Sequence, residues 1–427
     1  MAARTPAARN RYVDFLRALA IMVVIIGHWL IATAHYANGE LTPGHLLKTH
    51  PQMQWLTWLF QVMPIFFIVG GYANAVSLES ARRRGSGYAG WLFGRLNRLV
   101  APLLVLLIAW AAIAGVMVWL DVRPEVIQFT SRAALIPTWF LAIYILVVML
   151  APAAYGLWQR FGFASLAGFA ALAALTDIAF FAADLRWLGV ANYFWVWLAV
   201  HQLGFAWRDQ RVGGVGRRLG IAAAGLAALY LLVALGPYPL AMVGSPDEGL
   251  SNTLPPKITL LALGLFQFGL LLALEPPMRR ALEHHRFWTA AVLVNSMIMT
   301  LYLWHITVMV LLGSALYLAG GIGFTVEPGS TAWWLSRPLW IGSLLLLLLP
   351  TALLLSPLER RSRREGAPIP SAARQIPGAI MLCLGVASLA LYGFGGGPLP
   401  HLDMAALGLV LVGAGVSGLL PAPGSGR

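Results

Sequence analysis

The chain has 427 residues, of which 59% are hydrophobic and only 11% charged, with a formal net charge of +13 and a mean hydropathy of +0.76. Ordinary soluble domains carry about 25% charged residues, so this composition excludes a soluble globular protein and points to a polytopic membrane protein. Such a charge would suggest nucleic acid as the partner of a soluble chain; here an excess of arginine in alternate loops accounts for it, and no nucleic-acid partner is expected.

At about 20 apolar residues per crossing, spans are predicted near 14–35, 55–77, 99–120, 138–157, 162–183, 189–207, 219–236, 257–275, 288–313 and 338–357, with two more near 376–396 and 402–420. The expected fold class is therefore all-α, a polytopic transmembrane helix bundle of ten core spans plus two C-terminal spans. Residues 1–358 would form the membrane bundle, 359–375 (ERRSRREGAPIPSAARQ) a basic cytoplasmic linker, and 376–427 an accessory pair of helices. Arginines cluster in alternate connections: Arg4, Arg9 and Arg11, then Arg82, Arg83, Arg84, Arg95 and Arg98, then Arg160, then Arg208, Arg211, Arg217 and Arg218, then Arg279, Arg280 and Arg286, then Arg360, Arg361, Arg363, Arg364 and Arg374. The opposite connections hold only scattered Lys48, Arg123, Arg132, Arg186, Lys257 and Arg337. This alternation predicts a multi-pass protein of the cell membrane with a cytoplasmic N-terminus. The single cysteine, Cys383, excludes an internal disulfide framework.

The first span, RYVDFLRALAIMVVIIGHWL from Arg11 to Leu30, carries more charge than a lipid-facing helix tolerates. It resembles a signal peptide only superficially, because an apolar core of about 7–15 residues has no reason to include Asp14, Arg17 and His28. On one helix the eleven residues from Arg17 to His28 advance 1100°, about 20° from whole turns, and place His28 about 16 Å deeper on nearly the same face. His35, seven residues further on, would share that face at the outer end of the span. An imidazole can take a proton from a hydroxyl acceptor, which makes His28 the candidate catalytic base; the plain structural alternative is a histidine hydrogen-bonded inside the bundle. Arg17 is suited to the phosphates of a soluble donor, with Asp14 three residues earlier orienting it or simply pairing with it.

The second span contains MPIFFIVGGYANA, where Gly70 and Gly71 permit close helix approach and Asn74 is either packing glue or a substrate contact. In GRLNRLVAPLL, Arg95 and Arg98 lie three apart on one face, expected at the start of the third span, where the helix dipole also favours phosphate. Trp139 and Phe140 enter the fourth span as an interfacial aromatic pair. The ninth span holds NSMIMTLYLWHITVM, with His305 and the nearby hydroxyls of Ser296 and Tyr302 forming a second polar spot. His201, without a charged companion in sequence, reads as a core residue.

Taken in order, Arg17-x10-His28, FF-x-x-GG, Arg95-x-x-Arg98, Trp139-Phe140-Leu141 and Ser-x5-Tyr-Leu-x-His from Ser296 to His305 resemble the acyltransferase 3 family of integral membrane acyltransferases over about residues 10–357. The resemblance implies a ten-helix enzyme that transfers an acyl group, often acetyl from acetyl-CoA, to a hydroxyl on a glycan or a lipid-linked acceptor. By that resemblance His28 is catalytic and Arg17, Arg95 and Arg98 lie near the donor; Asp14, Asn74, Ser296 and His305 are expected as supporting residues. No bound cofactor and no metal are expected, acyl-CoA being a substrate. Gly70-Gly71 departs from the family's frequent Ser-Gly, which leaves that serine's role open or passed to Asn74. The competing expectation is a transporter or flippase of a glycan or lipid that uses Asp14, Arg17, His28 and His305 as a proton or ion path.

Overall fold

The computed structural model describes residues 10–244, 249–360, 369–396 and 401–420. Arg4, Arg9, Arg427 and residues 361–368 of the expected basic linker lie outside the described residues. Helix α1 (Arg11–Ile31) starts where it does because Asn10 Oδ1 accepts the backbone N–H groups of Tyr12 and Val13 at 3.1 and 3.4 Å, a side-chain cap on the orphan donors of the first turn. It ends four residues earlier than predicted, in a hairpin of β1 (Ala32–Ala37) and β2 (Glu40–His45). Between these strands Asn38 and Gly39 have φ of 53° and 85°, the left-handed pair that a two-residue turn demands. The register runs from Ala37 opposite Glu40 back to Ala32 opposite His45.

The remaining helices are α2 (Leu46–Thr49), α3 (Thr57–Phe60), α4 (Met63–Arg83), α5 (Tyr88–Trp119), α6 (Pro124–Leu135), α7 (Thr138–Phe161) and α8 (Phe163–Ala182). Then follow α9 (Asn192–Arg208), α10 (Val215–Leu235), α11 (Ile258–Ala281), α12 (His285–Ser296), α13 (Ile298–Leu318), α14 (Thr331–Arg360), α15 (Ala372–Tyr392) and α16 (Leu402–Val416). Among the described residues ten helices are long and apolar enough to cross a membrane, and the fold is an all-α polytopic bundle. Two expected spans are shorter: α9 has 17 residues and α16 has 15. Helix α9 is buried along almost its whole length, from Val196 to Trp207 without a break, as befits a helix apolar all round. The expected ninth span, 288–313, is two helices, because Met297 at φ −133°, ψ 25° breaks the chain between α12 and α13.

By contacts the chain forms two compact units. The first takes residues up to Gly27, Leu47–Ser80 and Leu150–Ser296. Within it, α4 and α9 touch backbone to backbone: a Cβ on Gly71 would stand 2.0 Å from the His201 carbonyl oxygen, and one on Gly204 would stand 2.0 Å from that of Ile68. Asp177, 1% exposed, ties α8 to its neighbours by accepting Asn192 Nδ2 at 2.8 Å, the Ile258 N–H at 2.8 Å and the Tyr238 hydroxyl at 3.1 Å. Burial first, and the Asp177 carboxylate second, hold the Tyr238 hydroxyl protonated well above the usual phenol range.

The second unit takes His28–Leu46, Ala81–Met149 and the residues from Met297 onward. Here α13 packs on α5, α6 and α14, while α15 packs on α16, α5 and α6. The C-terminal pair is anchored at Ser131 of α6, whose Oγ accepts the Phe394 N–H at 2.8 Å.

Candidate active site

In the second unit, two imidazoles meet at the last turn of α1. His28 Nδ1 lies 2.9 Å from His305 Nε2, with ring centroids 5.1 Å apart and planes 24° apart, the disposition of two imidazoles joined edge to edge. On its far side, His305 Nδ1 meets the Tyr302 carbonyl oxygen. A carbonyl only accepts, so His305 Nδ1 must carry a proton; in the neutral ring Nε2 is then an acceptor, and His28 Nδ1 must donate to it. The chain of donors ends at His28 Nε2, which is left as the basic nitrogen. His305 is fully buried. Indole groups fix its surroundings: Trp29 Nε1 donates to the His305 carbonyl at 3.0 Å, Trp110 Nε1 to Thr307 Oγ1 at 3.0 Å, and Trp340 Nε1 to the Trp29 carbonyl at 3.2 Å. The Tyr302 hydroxyl is committed to the Pro137 carbonyl at 2.7 Å, which holds the turn of α13 that supplies the carbonyl under His305.

In the first unit, Asn74 is fully buried and its Nδ2 lies 3.0 Å from His201 Nε2. Asp14 is 5% exposed and its main-chain carbonyl accepts Asn295 Nδ2 at 2.7 Å, while Arg17 is half-buried on the same helix. In the second unit, Arg95 is half-buried with its guanidinium 5.9 Å from the Trp91 ring centroid, and Arg98 is exposed. Among the described residues no group of three or more His, Cys, Asp or Glu side chains could hold a metal ion.

Residues 10–357 match the family described as an acyltransferase domain. The chain belongs to the acyltransferase 3 family. It is an acyltransferase embedded in a membrane, and His28 and His305 fall inside the matched region. No curated protein and no solved structure matches the chain.

Three sequence expectations about this acyltransferase need correction. Arg95 and Arg98 do not open their helix: α5 begins at Tyr88, about two turns earlier, so the N-terminal dipole, which fades within one turn, does not reach them. Ser296 does not serve His305, because its hydroxyl donates to the Leu293 carbonyl at 2.7 Å inside α12. His35 does not continue the face of His28, because it lies on β1 opposite Thr42. His201, read as a core residue without a charged companion, is fully buried and meets the neutral Asn74 amide. The sequence reading also missed His45, which the hairpin returns to the end of α1 opposite Ala32. The Asn38-Gly39 dipeptide between two short extended runs was the signal that could have revealed it.

Proposed function

We propose that this acyltransferase moves an acyl group, acetyl being the leading case, from acyl-CoA to a hydroxyl of a glycan or glycolipid, with His28 as the general base. The observation that carries the reading is the directed bonding from the Tyr302 carbonyl through His305 to His28. It holds His28 in the tautomer whose Nε2 can accept a proton, with His305 as the positioning residue. The acceptor oxygen gives its proton to Nε2 as it attacks the thioester carbonyl; the C–S bond breaks, and the departing thiolate takes the proton back from the imidazolium. Nothing is oxidised or reduced. Arg17, Arg95 and Arg98 are the residues we assign to the donor's phosphates, on the chemistry of the guanidinium fork. The alternation of arginine-rich and arginine-poor connections supports a cytoplasmic N-terminus in the cell membrane, so that the donor arrives from the side of Arg17.

The test is acyl transfer by purified protein in lipid nanodiscs supplied with radiolabelled acetyl-CoA and an extract of envelope glycans. Transfer that is lost in His28→Ala, with the variant still folded by thermal melting, is the expected result. Substrate transport without any dependence on acyl-CoA would overturn the reading in favour of a transporter.

A further inference from the structure

The first unit holds a cavity that the proposed chemistry leaves unused. It measures about 550 Å³, within the usual range for small-molecule sites, and opens among Asn10, the end of α9, the loop into α10 and the end of α11. One wall is aromatic: the Trp207 and Tyr72 rings have centroids 4.8 Å apart and are tilted by 49°. The other wall is cationic, and its three arginines are not equivalent.

Arg208 is neutralised by Glu79 and by Asp209, the latter at 2.7 Å. Arg279 is neutralised by Glu275, which accepts its Nε and Nη2 at 2.9 and 2.6 Å and also takes Trp207 Nε1 at 2.9 Å. Arg218 is held by carbonyl oxygens instead, Nη1 on Leu272 at 2.7 Å and Nε on Val212 at 3.4 Å. Carbonyls aim a guanidinium without cancelling its charge, so Arg218 presents an uncompensated cation to the cavity. The start of α10 adds to it, since the first turn contains no acid and Gly214 offers no side-chain cap.

A flat aromatic base bearing a phosphate ester answers both walls at once. We propose that this cavity seats the adenosine-phosphate end of the acyl-CoA donor, an assignment that rests on the acyl-CoA reading above. The base lies against Trp207 and Tyr72, and the phosphate meets Arg218. Asn10, at the rim, donates to the Tyr72 hydroxyl at 3.1 Å and caps α1. Arg17 lies seven residues further, about 20° from the same face and about 10 Å along the axis. The rest of the donor would therefore leave the cavity along the face of α1 that carries Arg17.

The experiment compares acetyl-CoA with acetyl-3′-dephospho-CoA in the transfer assay, using wild type, Arg218→Gln and Gly213→Asp in nanodiscs of neutral and of anionic lipid. A Cβ on Gly213 meets nothing within 4 Å, so the aspartate adds a negative charge at the cavity without displacing a neighbour, and it covers the case in which Arg218→Gln loosens the α10–α11 contact. Wild type is expected to show a KM for acetyl-CoA at least tenfold below that for the dephosphorylated form. Both variants should raise the acetyl-CoA KM about tenfold, with kcat within twofold, and erase the preference in either lipid. Variants that keep the wild-type KM and preference, while wild type transfers from acetyl-CoA, would overturn the cavity assignment and leave the donor reading standing. A KM effect confined to anionic nanodiscs would overturn it in favour of a lipid headgroup. Absence of CoA-dependent transfer in wild type would remove the donor reading and this assignment with it.

Discussion

Each unit buries a histidine against a partner from a distant helix, but the two pairs leave different things over. In the first unit, His201 meets the Asn74 amide where α4 and α9 touch through Gly71 and Gly204, and the helix backbones leave no room for a substrate at the glycine contact. In the second unit, His305 is anchored on one side by a carbonyl and passes its direction on to a second imidazole, so the bonding ends on a basic nitrogen. The first pair joins a histidine to a neutral amide at a helix contact; a histidine that orients another titratable ring has the form of a base and its positioning residue. What separates them is the partner: a neutral amide in one pair, a second titratable ring in the other.

Several substitutions would break or sharpen this contrast. The largest effect is expected from His28→Ala, which should lower kcat by about 10²–10⁴-fold in the transfer assay while melting close to wild type. A variant that retained activity would reduce the His28–His305 pair to packing. Gly204→Ala should act in the opposite sense, on stability alone: its methyl would overlap the Ile68 carbonyl, destabilising the bundle by about 1–3 kcal/mol or more, read as a lower melting temperature and poorer yield in detergent. Next comes His305. Its loss removes the orientation of His28 but not the base, so His305→Ala should lower kcat by about 10–100-fold, less than His28→Ala. His305→Gln, whose amide can still accept from His28 Nδ1, should recover part of that loss; equal damage from both substitutions would argue against a positioning role. The smallest change in transfer is expected for Asn74→Ala, which removes the buried amide facing His201 at a cost of about 1–3 kcal/mol but should leave kcat of the folded fraction near wild type. A kcat loss comparable to that of His28→Ala would move Asn74 from packing into the chemistry.

Most of the architecture was legible in the chain because the bilayer imposes its own length on every crossing. Nine of the predicted core spans have counterparts among the helices long enough to cross, and so does the first of the C-terminal pair. Errors fell where local conformation overrides hydropathy. The Asn38-Gly39 turn converts the end of the expected first span into a strand, Met297 cuts the expected ninth span in two, and α5 runs on toward its N-terminus well before its apolar core begins. At the candidate site, His28 and His305 could both be named from sequence, yet Ser296 was placed beside His305 on proximity in the chain, whereas its own helix turn satisfies its hydroxyl.

The sequence by itself determined that the protein is a membrane helix bundle, that arginines alternate between its connections, and which family it belongs to, because each of these depends on composition or on spacing within a short stretch. Only the tertiary structure decided which histidine orients which. Residues 277 positions apart meet at 2.9 Å, and the tautomer they adopt depends on a carbonyl that no spacing rule locates. It likewise decided that, of the three arginines lining the cavity, Arg218 is the one held by carbonyls and not by a carboxylate, because neutralisation depends on the carboxylates brought beside a guanidinium and not on how many the chain contains.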